Sequence, residues 1–336
     1  MYEPLRELMA LVVALVCAAA CFAGNGSVRA ELVEVKKIWD KAPHNAFTDL
    51  VRFRGQWYCC FREGEKHVSP DGALRVIASP DGVEWTSVAL MTSGTADLRD
   101  AKLTVTPDNR LMLSGAAALH ERTPVHHQTM AWFSTDGRQW GGPVNIGEPN
   151  LWLWRVTWHK AAAYGIGYGA IGDARLIRLY RSEDGRAFDT WVENLFDVGR
   201  PSETSLLFLD DDTCLCLLRR DGEPNTAQLG ISKPPYQEWA WKDLGVRIGG
   251  PHLIQLPDGR FVAAGRSYQG DARTRLWWLD PEAGSLEEIL TLPSGGDTSY
   301  PGLVLHDGLL WVSYYASHEG KTSIYLAKVK LPPPAG

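Results

Sequence analysis

Apolar residues along the chain fall in short runs separated by Gly, Asp, Asn and Pro, and the 3.6-residue spacing typical of helices is almost absent. Six times, an apolar run is followed by a turn sequence and a second apolar run, which is the pattern of a β-hairpin. These hairpins span residues 47–62, 101–115, 155–168, 203–219, 252–266 and 300–315. A third strand-like run follows each hairpin, so the pattern predicts an all-β protein built from six similar units.

A seven-residue phrase follows the third run in three of these units. It reads SPDGVEW at 79–85, STDGRQW at 134–140 and SEDGRAF at 182–188, and a degenerate copy runs from Ser232 to Trp239. The copies begin at residues 79, 134, 182 and 232, and a repeat of about 50 residues is typical of propellers and solenoids. In each clear copy the Asp-Gly pair predicts a tight turn, because Gly adopts positive φ and the Asp carboxylate binds nearby backbone amides.

The last unit lacks a fourth strand, because it ends at residues 330–331 and a Pro-rich tail. Residues 31–39, an isolated strand-like run before the first hairpin, are predicted to supply that strand and so to protect the exposed edge. No Pro/Ser-rich linker divides the chain. We therefore expect a single domain, residues 31–336, folded as a six-bladed β-propeller that is closed by its N-terminal strand.

The first 30 residues predict export. An apolar run at 8–24 follows Arg6 and ends in small residues, as in a secretory signal peptide cleaved near Ala23 or Ala30. An uncleaved membrane anchor is the alternative, and Cys21 gives a weak lipoprotein signal. We expect a secreted or periplasmic protein without stable membrane insertion after cleavage.

The composition excludes some classes of binding partner and cofactor. The chain has 336 residues, a formal net charge of −6 and no basic stripe, which argues against a nucleic-acid partner. Four cysteines follow the signal, as neighbours at 59–60 and within one apolar strand at 214 and 216, so we expect buried thiols rather than a disulfide framework. The nine histidines show no metal-ligand spacing, and the sequence predicts no metal and no organic cofactor.

Arginine recurs where the second strand of a hairpin leaves its apolar run. Aligned on their turns, the hairpins place at this point, in chain order, Arg62, Ala116, Tyr168, Arg219, Arg266 and Tyr315. Strand ends and loops around the channel of a propeller build its binding sites. Three arginines at one matched position indicate a cationic pocket for a carboxylate, which a guanidinium binds through two parallel hydrogen bonds. The alternative is that each arginine pairs with a local acid such as Glu63 or Asp221.

The repeated phrase resembles the Asp-box of the sialidase (neuraminidase) superfamily, in which the box is a structural turn remote from the active site. The resemblance implies a propeller that hydrolyses a glycosidic bond with a tyrosine nucleophile, a glutamate, an aspartate acid/base and three arginines. Segments similar to the family's motifs are SETSLLFL followed by CLLR, with Glu203 and Arg219, then Arg266, and TSYPGL with Tyr300. The resemblance therefore implies Tyr300 as the nucleophile and Glu203 as its base. It also implies Asp71, in PDGALRV, as the acid/base, and the two arginines as ligands of a sugar carboxylate.

The chain departs from that family at the first arginine. The first blade reads HNAFTD at 44–49, where sialidases have an Arg-Ile-Pro motif. Either Arg62 or His44 is predicted to take the place of this arginine in the pocket. Other residues at the same end of the hairpins complete the predicted sugar-binding set, namely Arg99, Asp100, Trp152, Arg155 and Tyr315. For each candidate, a role in packing or in a turn is the alternative.

The sequence thus predicts a secreted, sialidase-like exo-glycoside hydrolase that releases a terminal sugar from glycans, and the arginines favour an acidic sugar. The missing first arginine favours a second hypothesis, a non-catalytic carbohydrate-binding propeller. A third is an exported scaffold with a protein partner, because propellers carry many unrelated functions.

Overall fold

The computed structural model describes residues 29–171 and 174–334, which contain 24 β-strands and no helix. In chain order the strands are β1 Glu31–Trp39, β2 His44–Phe53, β3 Gln56–Gly64, β4 Ala73–Ser79, β5 Thr86–Met91, β6 Ala96–Val105, β7 Leu111–Leu119, β8 His127–Ser134, β9 Gly141–Ile146, β10 Leu151–His159, β11 Ala162–Ile171, β12 Ala174–Ser182, β13 Asp189–Phe196, β14 Pro201–Phe208, β15 Cys214–Arg220, β16 Gln228–Ser232, β17 Ala240–Asp243, β18 Ile248–Gln255, β19 Phe261–Ser267, β20 Arg273–Asp280, β21 Ser285–Thr291, β22 Thr298–His306, β23 Leu309–Ala316 and β24 Ser323–Lys330. They form six four-stranded sheets, β2–β5, β6–β9, β10–β13, β14–β17, β18–β21, and β22–β24 with β1.

The six sheets are the blades of a β-propeller, which confirms the predicted fold class. Their innermost strands, β2, β6, β10, β14, β18 and β22, contact one another in a ring around a channel. These strands and the second strands of the blades are mostly buried, whereas the outermost β17 has no buried residue. A hydrophobic cluster fills the space between each pair of neighbouring blades. The four cysteines of the described residues are buried as free thiols in β3 and β15.

The N-terminal strand closes the ring, as the sequence predicts. β1 pairs antiparallel with β24, from Glu31 opposite Lys330 to Trp39 opposite Ile324, and forms the outer edge of the sixth blade. The predicted signal peptide lies outside the described residues except for its last two positions. Over the residues that are described, no helix is long and apolar enough to cross a membrane.

The three clear copies of the seven-residue phrase form the same turn between the third and fourth strands of blades one to three. In the second copy, the Ser134 hydroxyl donates to Asp136 Oδ1 at 3.1 Å and accepts from the Gly137 amide at 2.8 Å. Asp136 Oδ1 also accepts from the Arg138 amide at 2.8 Å. The other two copies repeat these bonds. The phrase is therefore a structural turn at the outside of the blade.

Each inner hairpin contains a β-bulge at the same place. In every blade, two consecutive residues of the innermost strand lie opposite one residue of the next strand. The bulged pairs are Phe47-Thr48, Asp100-Ala101, Trp154-Arg155, Ser202-Glu203, Gly250-Pro251 and Tyr300-Pro301. Positive φ occurs at Phe47, Asp100, Gly250 and Tyr300. Bulges redirect side chains and are frequent beside active sites. We call the end of the channel that they mark the bulge end.

Candidate active site

A tyrosine–glutamate pair lies at the bulge end. Tyr300 follows Ser299 in the bulge of β22, and the two residues have φ values of 51° and 96°. The Tyr300 hydroxyl donates to Oε1 of Glu203, in the bulge of β14, at 2.5 Å. Tyr300 is 8% exposed and Glu203 is 5% exposed. A hydroxyl in short contact with a base, in an enclosed place, is the arrangement that activates a nucleophile.

Arg219 and a backbone amide hold this pair in place. Arg219 lies in β15 directly opposite the bulge that contains Glu203. Its Nη1 is 2.8 Å from Glu203 Oε2 and 3.0 Å from the Tyr300 hydroxyl oxygen. The amide of Gly250, the bulge residue of β18, donates to the same Glu203 oxygen at 2.7 Å. Glu203 is therefore fixed by three donors that come from three different blades.

The surroundings of Tyr300 and Glu203 keep the proton that they share on the Tyr300 hydroxyl. Burial, and then the charge of Glu203, raise the pKa of Tyr300 well above its ordinary value, against the opposing effect of Arg219 and Arg266. Burial also raises the pKa of Glu203, but Arg219 and the hydrogen bond from Tyr300 outweigh it, so that pKa is lowered overall. Glu203 is consequently an anion that can accept the phenolic proton when the oxygen forms a new bond.

Asp100 is a second carboxyl group at the bulge end, and its pKa shifts in the opposite direction. It occupies the bulge of β6 with a φ of 54° and is 7% exposed. Burial raises its pKa to about 6, although Arg99 and Lys102 lower it. The charge of Asp100 in turn raises the pKa of Tyr300. A carboxyl group that keeps its proton up to about pH 6 suits a general acid.

Arg266 lies beside Tyr300, but a protein carboxylate compensates its charge. Its guanidinium carbon is 5.4 Å from the centre of the Tyr300 ring. Its Nη2 is 2.8 Å from the Tyr315 hydroxyl and 3.3 Å from Asp297 Oδ1, and its Nε donates to the Thr298 carbonyl at 2.8 Å. Tyr315, a predicted sugar ligand, donates its hydroxyl to the same Asp297 oxygen at 2.8 Å and is fully buried. It therefore acts as a support for Asp297 and Arg266.

Two histidines converge on the other oxygen of Asp297. His44 Nε2 lies 2.9 Å and His67 Nδ1 lies 2.7 Å from Asp297 Oδ2. The ring of Phe47 packs between this cluster and Tyr300, with centroid distances of 5.0 Å to His67 and 5.1 Å to Tyr300. The first blade thus presents an apolar ring to Tyr300, and His44 is committed to Asp297.

Trp152, Tyr168 and Arg99 form one wall of the site. The rings of Trp152 and Tyr168 are nearly parallel, with an interplanar angle of 11° and centroids 6.1 Å apart. The Arg99 guanidinium carbon lies 5.8 Å from the Trp152 ring centre and 5.5 Å from that of Phe47. Trp152 is half-buried. An aromatic face with charged groups beside it can pack against the apolar side of a sugar while its hydroxyls are bound.

Two arginines predicted to bind the sugar are internal. Arg62 is 0% exposed, and its Nε donates to Asp97 at 2.8 Å and its Nη2 to the Ser69 carbonyl at 3.2 Å. Arg155 Nη1 binds both oxygens of Asp49, at 2.9 and 3.1 Å, inside the channel. Since these donors are used within the protein, neither side chain is brought to Tyr300. Arg62 therefore does not replace the missing first arginine.

Asp71, predicted as the acid/base, is exposed and closes a loop between β3 and β4. Its Oδ2 accepts from the Glu65 amide at 3.0 Å. Burial tends to raise its pKa, but hydrogen bonds from Ser69 and from the Glu65 backbone outweigh it, and the pKa is lowered. These contacts correspond to the turn role that the sequence left as the alternative.

The strand register corrects the alignment of the hairpins in two blades. The second-strand residues paired just before the bulge are Arg62, Ala116, Gly167, Arg220, Arg266 and Tyr315. Tyr168 and Arg219 are therefore displaced by one residue from the matched position, because an alignment on turns does not register which residues pair. Arg220, the true counterpart of Arg62, is likewise buried and binds Asp243 of its own blade at 2.5 Å.

Sequence reasoning missed three residues of the site, Phe47, His67 and Asp297. Phe47 lies inside the HNAFTD segment, and Asp297 lies just before the predicted strand of Tyr300, so the signal for both is their closeness to a predicted site segment. His67 lies in a loop with no distinctive pattern.

Comparisons with solved structures show what this fold is similar to. A protein of unknown function from Dyadobacter fermentans matches with a TM-score of 0.80 at 19% identity, covering 90% of this chain and 100% of that one. A sialidase from Trypanosoma rangeli in complex with the inhibitor DANA matches with a TM-score of 0.68 at 14% identity, covering 85% of this chain and 55% of the sialidase chain. An α-L-arabinofuranosidase from Fusarium graminearum matches with a TM-score of 0.70 at 14% identity, covering 90% of this chain and 98% of the arabinofuranosidase chain.

The comparisons assign the chain to a class of proteins by its fold alone. No protein-family model and no curated protein matches the sequence. At these identities the structural likeness shows a shared six-bladed propeller, and the match spans about half of the sialidase chain. The chain is thus a six-bladed β-propeller whose structural neighbours include glycoside hydrolases.

Proposed function

We propose that this protein is an exo-acting glycoside hydrolase that releases a terminal sugar from glycans. The observation that carries the proposal is the 2.5 Å hydrogen bond from the buried Tyr300 hydroxyl to Glu203, whose carboxylate is held by Arg219. The sequence resemblance to sialidases and the glycoside hydrolases among the structural neighbours support the same class of reaction.

In the first step, the Tyr300 oxygen attacks the anomeric carbon and its proton passes to Glu203. The glycosidic bond breaks with its electron pair on the leaving oxygen, which takes a proton from Asp100. In the second step, water gives a proton to Asp100 and attacks the same carbon. The bond to Tyr300 then breaks, and Glu203 returns the proton to the phenolic oxygen. Two displacements at one carbon retain its configuration.

Asp100 takes the acid role in this scheme, which the resemblance to sialidases implies for Asp71. The leaving oxygen needs a group that is protonated near the working pH. Burial raises the pKa of Asp100 to about 6. The pKa of Asp71 is lowered, and its carboxylate is bound to the Glu65 amide. Asp100 and Tyr300 also occupy matched bulges at the same end of the channel, and the charge of Asp100 raises the pKa of Tyr300.

The sugar that we propose is acidic. Arg219 and Arg266 are the guanidinium groups beside Tyr300, and their side chains are 16% and 15% exposed. Each also binds a more exposed carboxylate, Asp221 at 33% and Asp297 at 26%. A sugar carboxylate could exchange with these two counterions without disturbing the buried Glu203.

The test is sugar release by the mature protein from aryl glycosides and from complex acidic glycans. We expect release of a monosaccharide by the wild type and a loss of several orders of magnitude in Tyr300→Phe, because the substitution removes the nucleophile but keeps the ring. Tyr325→Phe, on β24 in the same blade and stacked on Tyr314, is the matched control and should retain activity. An equally active Tyr300→Phe variant would contradict the proposal.

One observation favours a second candidate, a non-catalytic carbohydrate-binding propeller. Phe47 occupies the bulge of the first blade, where an arginine would have strengthened the binding of an acidic sugar. Under this alternative, the same glycans raise the melting temperature of the wild type but no product appears. Release of product by the wild type alone excludes it.

A further inference from the structure

We propose that His44, His67 and Asp297 form a binding site for a divalent transition-metal ion of the zinc class. His44 Nε2, His67 Nδ1 and Asp297 Oδ2 lie within 4.8 Å of one another. The two nitrogens lie 2.9 and 2.7 Å from that single carboxylate oxygen. Residues far apart in the sequence are thus gathered with their potential ligand atoms pointing at one place.

The donor set fits the chemistry of zinc. Two imidazole nitrogens and one carboxylate oxygen are ligands that Zn²⁺, Co²⁺ and Ni²⁺ accept, whereas Mg²⁺ and Ca²⁺ prefer oxygen alone. In a tetrahedral shell with bonds of about 2.0 Å, ligand atoms stand roughly 3.3 Å apart. Each contact would therefore lengthen by about half an ångström, which small rotations of the Asp297 side chain, 26% exposed, and of the His67 side chain, 46% exposed, can supply. Its exposed side leaves room for a water molecule as the fourth ligand.

The carboxylate is oriented for this role by its other oxygen. Asp297 Oδ1 accepts from the Tyr315 hydroxyl at 2.8 Å and from Arg266 at 3.3 Å, which directs Oδ2 toward the histidines. Hydrogen bonds of this kind orient the ligands of protein metal sites. His44 is 8% exposed and packs on Phe47, so its ring is also held in place.

The ligands come from the two blades that meet where the ring closes. His44 opens β2 and His67 lies in the β3–β4 connection, both in the first blade, whereas Asp297 immediately precedes β22 of the sixth. An ion here would join the two blades and fix the β3–β4 loop above Phe47. Because the Phe47 ring separates the cluster from Tyr300, the ion would stand beside the nucleophile and not at it. Tyr300 is therefore not needed to bind the ion, although Asp297 is also the counterion of Arg266 in the proposed function.

The experiment uses the mature protein without an affinity tag, stripped of metal by a chelator. Zn²⁺ is titrated against a chromophoric chelator, and Co²⁺ is added separately to read the ligand geometry from its visible absorption. We expect one equivalent of Zn²⁺ and a raised melting temperature. His67→Gln should weaken binding by at least about tenfold, the lower end of what even outer-sphere changes cost. His126→Gln, which changes an exposed histidine outside the cluster, should bind as the wild type does.

The outcomes are distinguishable. Absence of Zn²⁺ binding by the wild type, or equal binding by His67→Gln, overturns the proposal and leaves two histidines that only donate to Asp297. Asp297→Asn, checked for native circular dichroism, tests the carboxylate separately and should also weaken binding. Tyr300→Phe should bind Zn²⁺ unchanged, so a failure of the proposed hydrolase does not affect the result.

Discussion

Two buried carboxyl groups near Tyr300 are suited to opposite tasks because their surroundings differ. Glu203 accepts hydrogen bonds from the Gly250 amide and from Tyr300 and pairs with Arg219, and these contacts lower its pKa in spite of burial. At Asp100 burial prevails and raises the pKa to about 6. Titratable neighbours whose pKa values are driven apart are the usual sign of an acid and a base.

This difference predicts the pH profile of the proposed reaction. The protonated fraction of Asp100 falls as the pH rises through about 6, so wild-type activity should fall over the same range. Asp100→Asn should no longer show this fall in activity near pH 6, which we call the limb of the pH profile. It should also lose most of its activity on natural glycans. It should lose less on aryl glycosides, whose leaving groups need no proton. The measurement is kcat/KM against pH for both substrate types.

Asp71→Asn is the control for that profile. It removes an exposed carboxylate that binds the Glu65 amide, and it should leave the limb near pH 6 unchanged. If Asp71→Asn abolished the limb and Asp100→Asn kept it, the acid role would return to Asp71.

Single residues also show how far the sequence could predict the site. Glu203, Arg219 and Tyr300 were singled out from short motifs, and the structure brings them into contact. The matched position in the aligned hairpins predicts Arg62 as a further sugar ligand, but its full burial against Asp97 depends on a loop conformation that no local pattern encodes. The contact of His67 with Asp297 joins residues 230 positions apart, and such a contact has no signature in one sequence.

At the scale of elements, hairpins were predictable and bulges were not. Alternating runs and turn residues give the position of a strand, because burial and turn chemistry are local. The bulges are different. Phe47, Asp100 and Tyr300 adopt positive φ without being glycine, at a cost of about 1–3 kcal/mol each that the packed ring sustains. Only Gly250, among the four left-handed bulge residues, carries a hint in its residue type.

The outer turns offer a test of packing between blades. Gly137 has a φ of 73°, and an added Cβ would lie 2.3 Å from a ring carbon of Tyr58 in the preceding blade. Gly308, in the β22–β23 turn, has a φ of 75° and open space around it. Both changes to Ala strain the backbone, but only Gly137→Ala adds a clash, so we expect it to cost about 1–3 kcal/mol more. Urea unfolding of both variants measures the difference, and equal losses would contradict the proposed contact.

At the scale of the whole molecule, the ring depends on a strand that is far in sequence from its blade. β1 lies on the outside of β24 with its first eight residues exposed or half-buried, and its last residue, Trp39, is buried in the cluster between the sixth and first blades. This closure was predictable from the number of strands, because the sixth unit has only three strands and the N-terminal strand belongs to no hairpin unit.

Removal of residues 29–39 should therefore open the ring. The truncated protein exposes the edge of β24 and loses the packing of Trp39, so we expect a melting temperature lower by roughly 5 °C or more and self-association through the free edge. Calorimetry and size-exclusion chromatography compare it with a protein that begins at Arg29. A synthetic peptide of residues 29–40 should restore part of the loss. A truncated protein that stays monomeric and equally stable would argue against closure by β1.

The bulge that recurs in all six blades has a consequence for how such a protein changes over time. It gives the ring six matched positions around one opening, and these positions hold different side chains. A single codon change at one of them replaces a charge, a ring or a hydroxyl group at the opening while the strand pairing of the other five blades is kept. New specificity can then arise one position at a time while the ring stays folded.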